Sequence, residues 1–291
     1  MTFRRTLLTL AAVGAVVVTA TAAQGGTVTS RTSLSAPWAG AEATALLRPT
    51  PDWYTNELAA KAHAAAERGE GVAIPDSVNY PTSGIAFTGI RPGAWILEPA
   101  GCTTNFVFGS AGNYFIGTAG HCAAVGEVVT IIAAPGVLMT IGKTVKSVNG
   151  GIGNDFALID IYDSMQQHVN PSMAHFGGPT GSGSPQVGDV CVHTGHGLVV
   201  GTGGTPRAGV VVYRGSGDNG GDAFAWDGAA APGDSGSPVR LADGKAAGDL
   251  THLVVGGKYV PGVIAGTSIA RMKAIAGKSL ATAPNLPDPT S

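Results

Sequence analysis

From Gly89 onward, apolar residues come in short runs separated by glycine, proline, serine and asparagine. The runs are Ala94–Leu97, Asn105–Phe108, Tyr114–Thr118, Glu127–Ala133, Val137–Ile141 and Asp155–Ile161. They continue with Val187–Thr194, Ala208–Tyr213, Ala223–Trp226, Pro238–Leu241, Ala247–Val255 and Val263–Ile269. Short apolar runs with such punctuation predict strands, and their spacing predicts a sandwich or a pair of barrels. Two stretches carry a helical period instead. Asp52–Arg68 places Trp53, Leu58, Ala62 and Ala65 near one face, with Asp52 as its cap. Ile269–Leu280 does the same with Met272, Ile275 and Ala276. Residues 281–291 read as a loose tail.

The region before Gly89 has a different texture. Arg4 and Arg5 precede an uncharged apolar stretch, Thr6–Ala20, and Ala20-Thr21-Ala22 has the small-x-small form of a cleavage site. Residues 1–22 are therefore expected to be an export signal. A membrane anchor is the alternative, but the stretch is short for a span of ~20 residues. Residues 23–88 contain a Ser/Thr/Ala/Pro-rich part without a period, the expected helix, and a Gly/Pro-containing coil. They fit a propeptide, an N-terminal extension wrapped on the domain, or a linker.

Composition narrows the class. The 291 residues are 44% hydrophobic and only 12% charged, which is enough for a sizeable core. The 45 glycines and 18 prolines without a collagen-like period favour an all-β chain rich in turns. A net charge of −2 leaves no electrostatic footprint for nucleic acid. No segment after the signal is long and apolar enough for a membrane span, so a secreted, extracellular protein is expected.

Three cysteines fit an oxidising compartment and leave one over. Cys102 and Cys122 flank the Val/Phe/Ile/Tyr-rich stretch Asn105–Ile116 and are expected to be bridged. Three buried free thiols are the alternative. Cys191 is expected to be a small buried apolar residue rather than a nucleophile.

Two motifs carry chemistry. Gly233-Asp234-Ser235-Gly236-Ser237-Pro238 puts a serine in a glycine-rich loop ahead of the strand-like Val239-Arg240-Leu241. Thr118-Ala119-Gly120-His121-Cys122 puts a histidine directly after a strand-like run. A serine hydroxyl needs a base to take its proton, the base needs an orienting partner, and the developing oxyanion needs N–H donors. Together the motifs resemble the nucleophile and base segments of the trypsin/chymotrypsin-like serine peptidases, in their secreted bacterial branch. The resemblance covers about Gly89 to Gly277.

The resemblance implies an all-β fold of two packed antiparallel six-stranded β-barrels, with a C-terminal helix and the site in the cleft between the barrels. It assigns His121 as general base and Ser235 as nucleophile. Asp155, which opens Asp155-Phe156-Ala157-Leu158-Ile159, is assigned as the orienting carboxylate. Asp160 and Asp163 are more simply solvated. The N–H groups of Gly233 and Ser235 become the oxyanion donors. The implied activity is hydrolysis of protein or peptide substrates through an acyl-enzyme, by a monomer with no metal and no organic cofactor.

The chain departs from the family in places. The arginine that serves the aspartate before the nucleophile is replaced here by Val192, and His193 is a candidate substitute for it beside Asp234. Ala229 stands six residues before Ser235, where trypsin-like members carry an aspartate. Ala229, Thr251 and His252 are the candidate pocket residues. His252 is either a reader of acidic side chains or a histidine serving the core. The rival functions are a catalytically silent binding module on the same fold, a serine esterase, and an interaction protein built on residues 23–88.

Overall fold

The computed structural model describes residues 36, 38, 42–78, 88–197, 203–255 and 263–286. The export signal expected at residues 1–22 and residues 287–291 of the tail lie outside them. In chain order, β1 (Glu42–Ala45), α1 (Asn56–Ala66) and β2 (Val72–Ala73) come first. Next are β3 (Trp95–Glu98), β4 (Cys102–Thr103), β5 (Val107–Ser110), β6 (Asn113–Thr118), β7 (Val128–Ala134), β8 (Val137–Asn149) and β9 (Asp155–Ile161). Then follow β10 (Val190–His196), β11 (Gly203–Ser216), β12 (Asp222–Asp227) and β13 (Pro238–Leu241). The chain continues with β14 (Ala246–Asp249), β15 (His252–Val255), β16 (Val263–Thr267) and α2 (Ile269–Ala276).

The strands form two antiparallel sheets. The first runs β4-β3-β7-β8-β9-β6-β5, with β2 paired to β8. The second runs β1-β15-β16-β12-β11-β10-β13-β14. Both curl. The chain itself joins the ends of the first path, β4 and β5, through residues 104–106, where Asn105 donates to the Gly117 carbonyl at 2.6 Å. In the second, β14 runs through Leu250 and Thr251 into β15, and Thr251 donates to the Ala265 carbonyl at 3.0 Å. The architecture is mostly β, with few helices, and is consistent with a chymotrypsin-like fold. Each sheet has eight strands by pairing rather than the six expected. The segment before Gly89 contributes one strand to each sheet, β2 to the first and β1 to the second.

Each sheet encloses its own apolar core. Ile96, Val107, Ile116, Ile131 and Ile159 fill the first. Val211, Phe224, Trp226, Val239 and Ile264 fill the second. Helix α2 lays Ile269, Met272 and Ala276 on Phe106, Phe108 and Phe156. It ends at Gly277, whose φ of +65° is a left-handed helix stop, and this is why the expected helix to Leu280 is shorter.

The N-terminal helix differs from its expected bounds. Thr55, not Asp52, caps it, with the Thr55 hydroxyl accepting from the Leu58 N–H at 3.3 Å. Asp52 and Trp53 lie in the preceding turn, closed by Tyr54 donating to the Pro51 carbonyl. Leu58 and Ala62 pack on Trp95, Leu97 and Leu138 of the first sheet. Burying one leucine side chain contributes about 1.5–3 kcal/mol, so this segment is anchored to the domain by its apolar face.

Candidate active site

His121 sits in a short 3-10 turn, Gly120–Cys122, directly after β6. Asp155 is the first residue of β9, the strand paired to β6. That pairing brings the two together across the sheet. The Asp155 carboxylate accepts twice from His121: the backbone N–H at 3.0 Å on Oδ1, and ring Nδ1 at 2.6 Å from Oδ2. A carboxylate only accepts, so the proton is on Nδ1 and Nε2 is left as an acceptor. Nε2 lies 2.8 Å from Ser235 Oγ. Asp155 is fully buried and the His121 ring is 6% exposed, so water competes little for these bonds. The Cys102–Cys122 disulfide ties β4 to the His121 turn. Asp160 lies on the same strand but on its exposed side.

Ser235 occupies the loop between β12 and β13 of the second sheet. Residues of the first sheet hold this loop. Thr103 donates its N–H to the Ser235 carbonyl at 2.8 Å and its hydroxyl to the Gly233 carbonyl at 2.9 Å. Asn105 donates from Nδ2 to the Gly236 carbonyl at 2.9 Å. Gly233 has φ +110°, and a Cβ there would collide with the His196 carbonyl, so the turn requires glycine. The Gly233 N–H donates to the carbonyl of Leu46 at 2.5 Å.

Asp234 is fully buried beneath the loop. The backbone N–H groups of Ala231 and Gly197 donate to it at 2.7 and 2.9 Å. Its charge partner is Arg207, a two-pronged pair in which Nη1 contacts Oδ2 and Nη2 lies 2.9 Å from Oδ1. His193 does not fill this role. Burial, reinforced by the Arg207 charge, pushes its imidazole down to about 4, so the ring is neutral. Arg207 stands directly opposite His193 in the β10–β11 register. Arg207 therefore reaches Asp234 from the strand next to the one that carries Val192 and His193, a relation that a register reveals and a motif does not.

The candidate pocket residues separate. Ala229 is exposed, and its carbonyl accepts from Arg207 at 3.2 Å. Thr251 is buried, with its hydroxyl donating to the Ala265 carbonyl and its own carbonyl 3.3 Å from Ser235 Oγ. His252 joins the His121–Asp155 end. Its Nδ1 is 2.9 Å from Thr251 Oγ1 and 3.9 Å from Asp155 Oδ2, and its ring centre is 5.7 Å from that of His121. Burial lowers its pKa against the opposing pull of Asp155. Behind the site, burial and the nearby Asp155 charge raise the Asp249 carboxyl well above the usual range.

No family model matches the chain, and no curated protein matches it. Solved structures similar to it include proteases. Protease A of Thermobifida fusca is 19% identical, with 67% of this chain and 98% of that one covered and a TM-score of 0.44. Nocardiopsis protease is 21% identical, over 66% of this chain and 98% of that one, at a TM-score of 0.46. A glutamic acid-specific serine protease, described as using a histidine triad in substrate binding, is 16% identical. It covers 66% of this chain and 100% of its own, at a TM-score of 0.47.

One part of the site has no counterpart in the motifs. Residues 42–48 lie across it. β1 pairs with β15, Leu46 follows with its N–H donating to Ser235 Oγ at 3.0 Å, and Arg48 pairs through its backbone with Gly101. A weak signal was the Ala-Thr-Ala-Leu-Leu run, too short and too little periodic to be taken for a strand.

Proposed function

We propose that the chain is a secreted serine endopeptidase. The observation that carries this reading is the continuous bond path from Asp155 through His121 to Ser235, at 2.6 and 2.8 Å. Ser235 Oγ attacks a peptide carbonyl and passes its proton to His121 Nε2. Asp155 stabilises the imidazolium that forms. The Gly233 and Ser235 N–H groups receive the oxyanion, and the Gly233 N–H bond to the Leu46 carbonyl supports that assignment. His121 then protonates the leaving amine, and water releases the acyl group. None of these steps calls on a metal or an organic cofactor.

The same reading counts the two sheets as six-stranded barrels. Taking β4 with β5, and β14 with β15, as single bent strands, and setting β1 and β2 aside, leaves six strands in each. His121 and Asp155 belong to one barrel and Ser235 to the other. A serine esterase of another fold would carry a strand-to-helix elbow at the nucleophile. Ser235 instead lies between two strands.

A fluorophosphonate is expected to label the expressed protein once, on Ser235. Ser235→Ala should abolish labelling and keep the β-type circular dichroism. Labelling that persists in Ser235→Ala overturns the nucleophile assignment.

A further inference from the structure

The segment that crosses the site has the form of a bound peptide. Glu42–Ala45 adds to the β15 edge in antiparallel register, with Thr44 opposite Leu253 and Ala45 opposite His252. Adding a strand to a sheet edge is a general way to hold an extended peptide, with main-chain bonds for affinity and side-chain pockets for choice. The segment then leaves the second sheet and reaches the first. Arg48 exchanges backbone bonds with Gly101 at 3.1 and 3.2 Å. Its guanidinium lies 3.9 Å from the Trp95 ring centre and donates to the His196 carbonyl at 3.0 Å. Between these two anchors lies Leu46.

Leu46 is held at both polar atoms of its backbone. Its N–H donates to Ser235 Oγ, and its carbonyl accepts from the Gly233 N–H. Both bonds hold the Leu46 peptide against the Ser235 loop, beside the hydroxyl and the Gly233 N–H. Its side chain is buried, 2% exposed, in the apolar cluster of Cys191, Val211 and Trp226, with Ala230 and Leu253 at the edge. Its neighbours are open: Ala43 and Thr44 are exposed, and Leu47 is 41% exposed. Between residues 43 and 47 the Leu46 side chain is the buried one, and it is aliphatic.

We propose that residues 42–48 are this enzyme's own first substrate, cut between Leu46 and Leu47, and that the same pocket selects aliphatic residues on the acyl side of other substrates. This rests on the serine peptidase reading above. Ser235 Oγ bonds to the Leu46 carbonyl carbon as its proton moves to His121. The Leu46–Leu47 C–N bond breaks, and the Leu47 nitrogen takes that proton and leaves as an amine. Water then adds to the acyl carbon, releasing Leu46 as a carboxylate and restoring Ser235. Until the cut strand departs, it fills the cleft, so the uncut chain is its own inhibitor. Residues 47–78 stay with the domain, because α1 and β2 dock on the first sheet independently of the segment.

The test is intact mass and N-terminal sequencing of the full chain expressed as wild type, Ser235→Ala and Leu46→Glu, each then offered a fluorophosphonate. The wild type should begin at Leu47, and Ser235→Ala should keep this bond whole. Leu46→Glu places a carboxylate in an apolar pocket, so the cut at this bond should slow at least ~100-fold. With the strand expelled, that variant should accept the label even though its Leu46–Leu47 bond is whole. Cleavage at Leu46–Leu47 in Ser235→Ala, a wild type cut only elsewhere, or a wild type that labels yet stays intact each overturns the proposal while the peptidase reading stands. Labelling absent from wild type and Leu46→Glu alike overturns both.

Discussion

The two sheets secure their halves of the site by different means. The first ties the His121 turn to β4 with a covalent bond, Cys102–Cys122. The second has only Cys191, buried and unbridged, and burial pushes that thiol up to about 12. It secures the Ser235 loop instead through the buried Arg207–Asp234 pair. A disulfide acts largely by restricting the unfolded chain and tolerates changes around it. A buried ion pair works only while both members are present, because either one alone is an uncompensated charge. The Ser235 half is therefore the more fragile to substitution, and the His121 half the more fragile to reduction.

Arg207→Ala is the sharpest way to break this contrast. It should cost about 3–5 kcal/mol in denaturant unfolding and abolish fluorophosphonate labelling, since Asp234 is left charged and buried. Arg207→Lys keeps the charge but loses the fork, and should recover part of both. A loss under 1 kcal/mol in Arg207→Ala would mean that backbone donors alone hold Asp234. Replacing Cys102 and Cys122 together by alanine should cost less, about 3 kcal/mol for residues 20 apart in sequence. Reductant should reproduce that loss in the wild type and add nothing in the double variant.

The smallest effect is in acid. His193 and His196, both on β10, are pushed from 6.5 to about 4, chiefly by burial. The unfolded chain takes up protons near 6.5 that the folded chain refuses until about 4. Stability is thus fully present above 6.5 and falls as pH drops between these values. From pH 6.5 to 5.5 each histidine should contribute a loss of about 1 kcal/mol. Urea midpoints across that range measure it, and His193→Phe should remove part of the slope. An unchanged slope in that variant would mean that His193 is protonated in the fold.

Much of the site was legible because its chemistry is local. Gly233–Pro238 needs particular φ angles, a hydroxyl and close backbone approach, and all three are written in consecutive residues. Thr118–Cys122 likewise combines a strand end, a histidine and a half-cystine. The strand runs were legible from their apolar spacing, although β8 and β11 extend well past their apolar cores. Their extensions pair by backbone bonds, to which hydrophobic pattern is blind. Asp52 was the expected cap, but Pro51 closes a turn that leaves Asp52 outside the helix, and Thr55 caps it instead.

By itself the sequence determined a β-rich chain and the serine and histidine motifs, because each depends on neighbours in the chain, whereas the role expected of Asp155 came from the family resemblance. Tertiary structure alone decided that Arg207 rather than His193 balances Asp234, since that choice depends on which residues face each other across β10 and β11. It alone placed Leu46 over Ser235. Residues 46 and 235 meet only after both sheets have closed and β15 offers an edge, and nothing in the local pattern of either segment encodes that meeting.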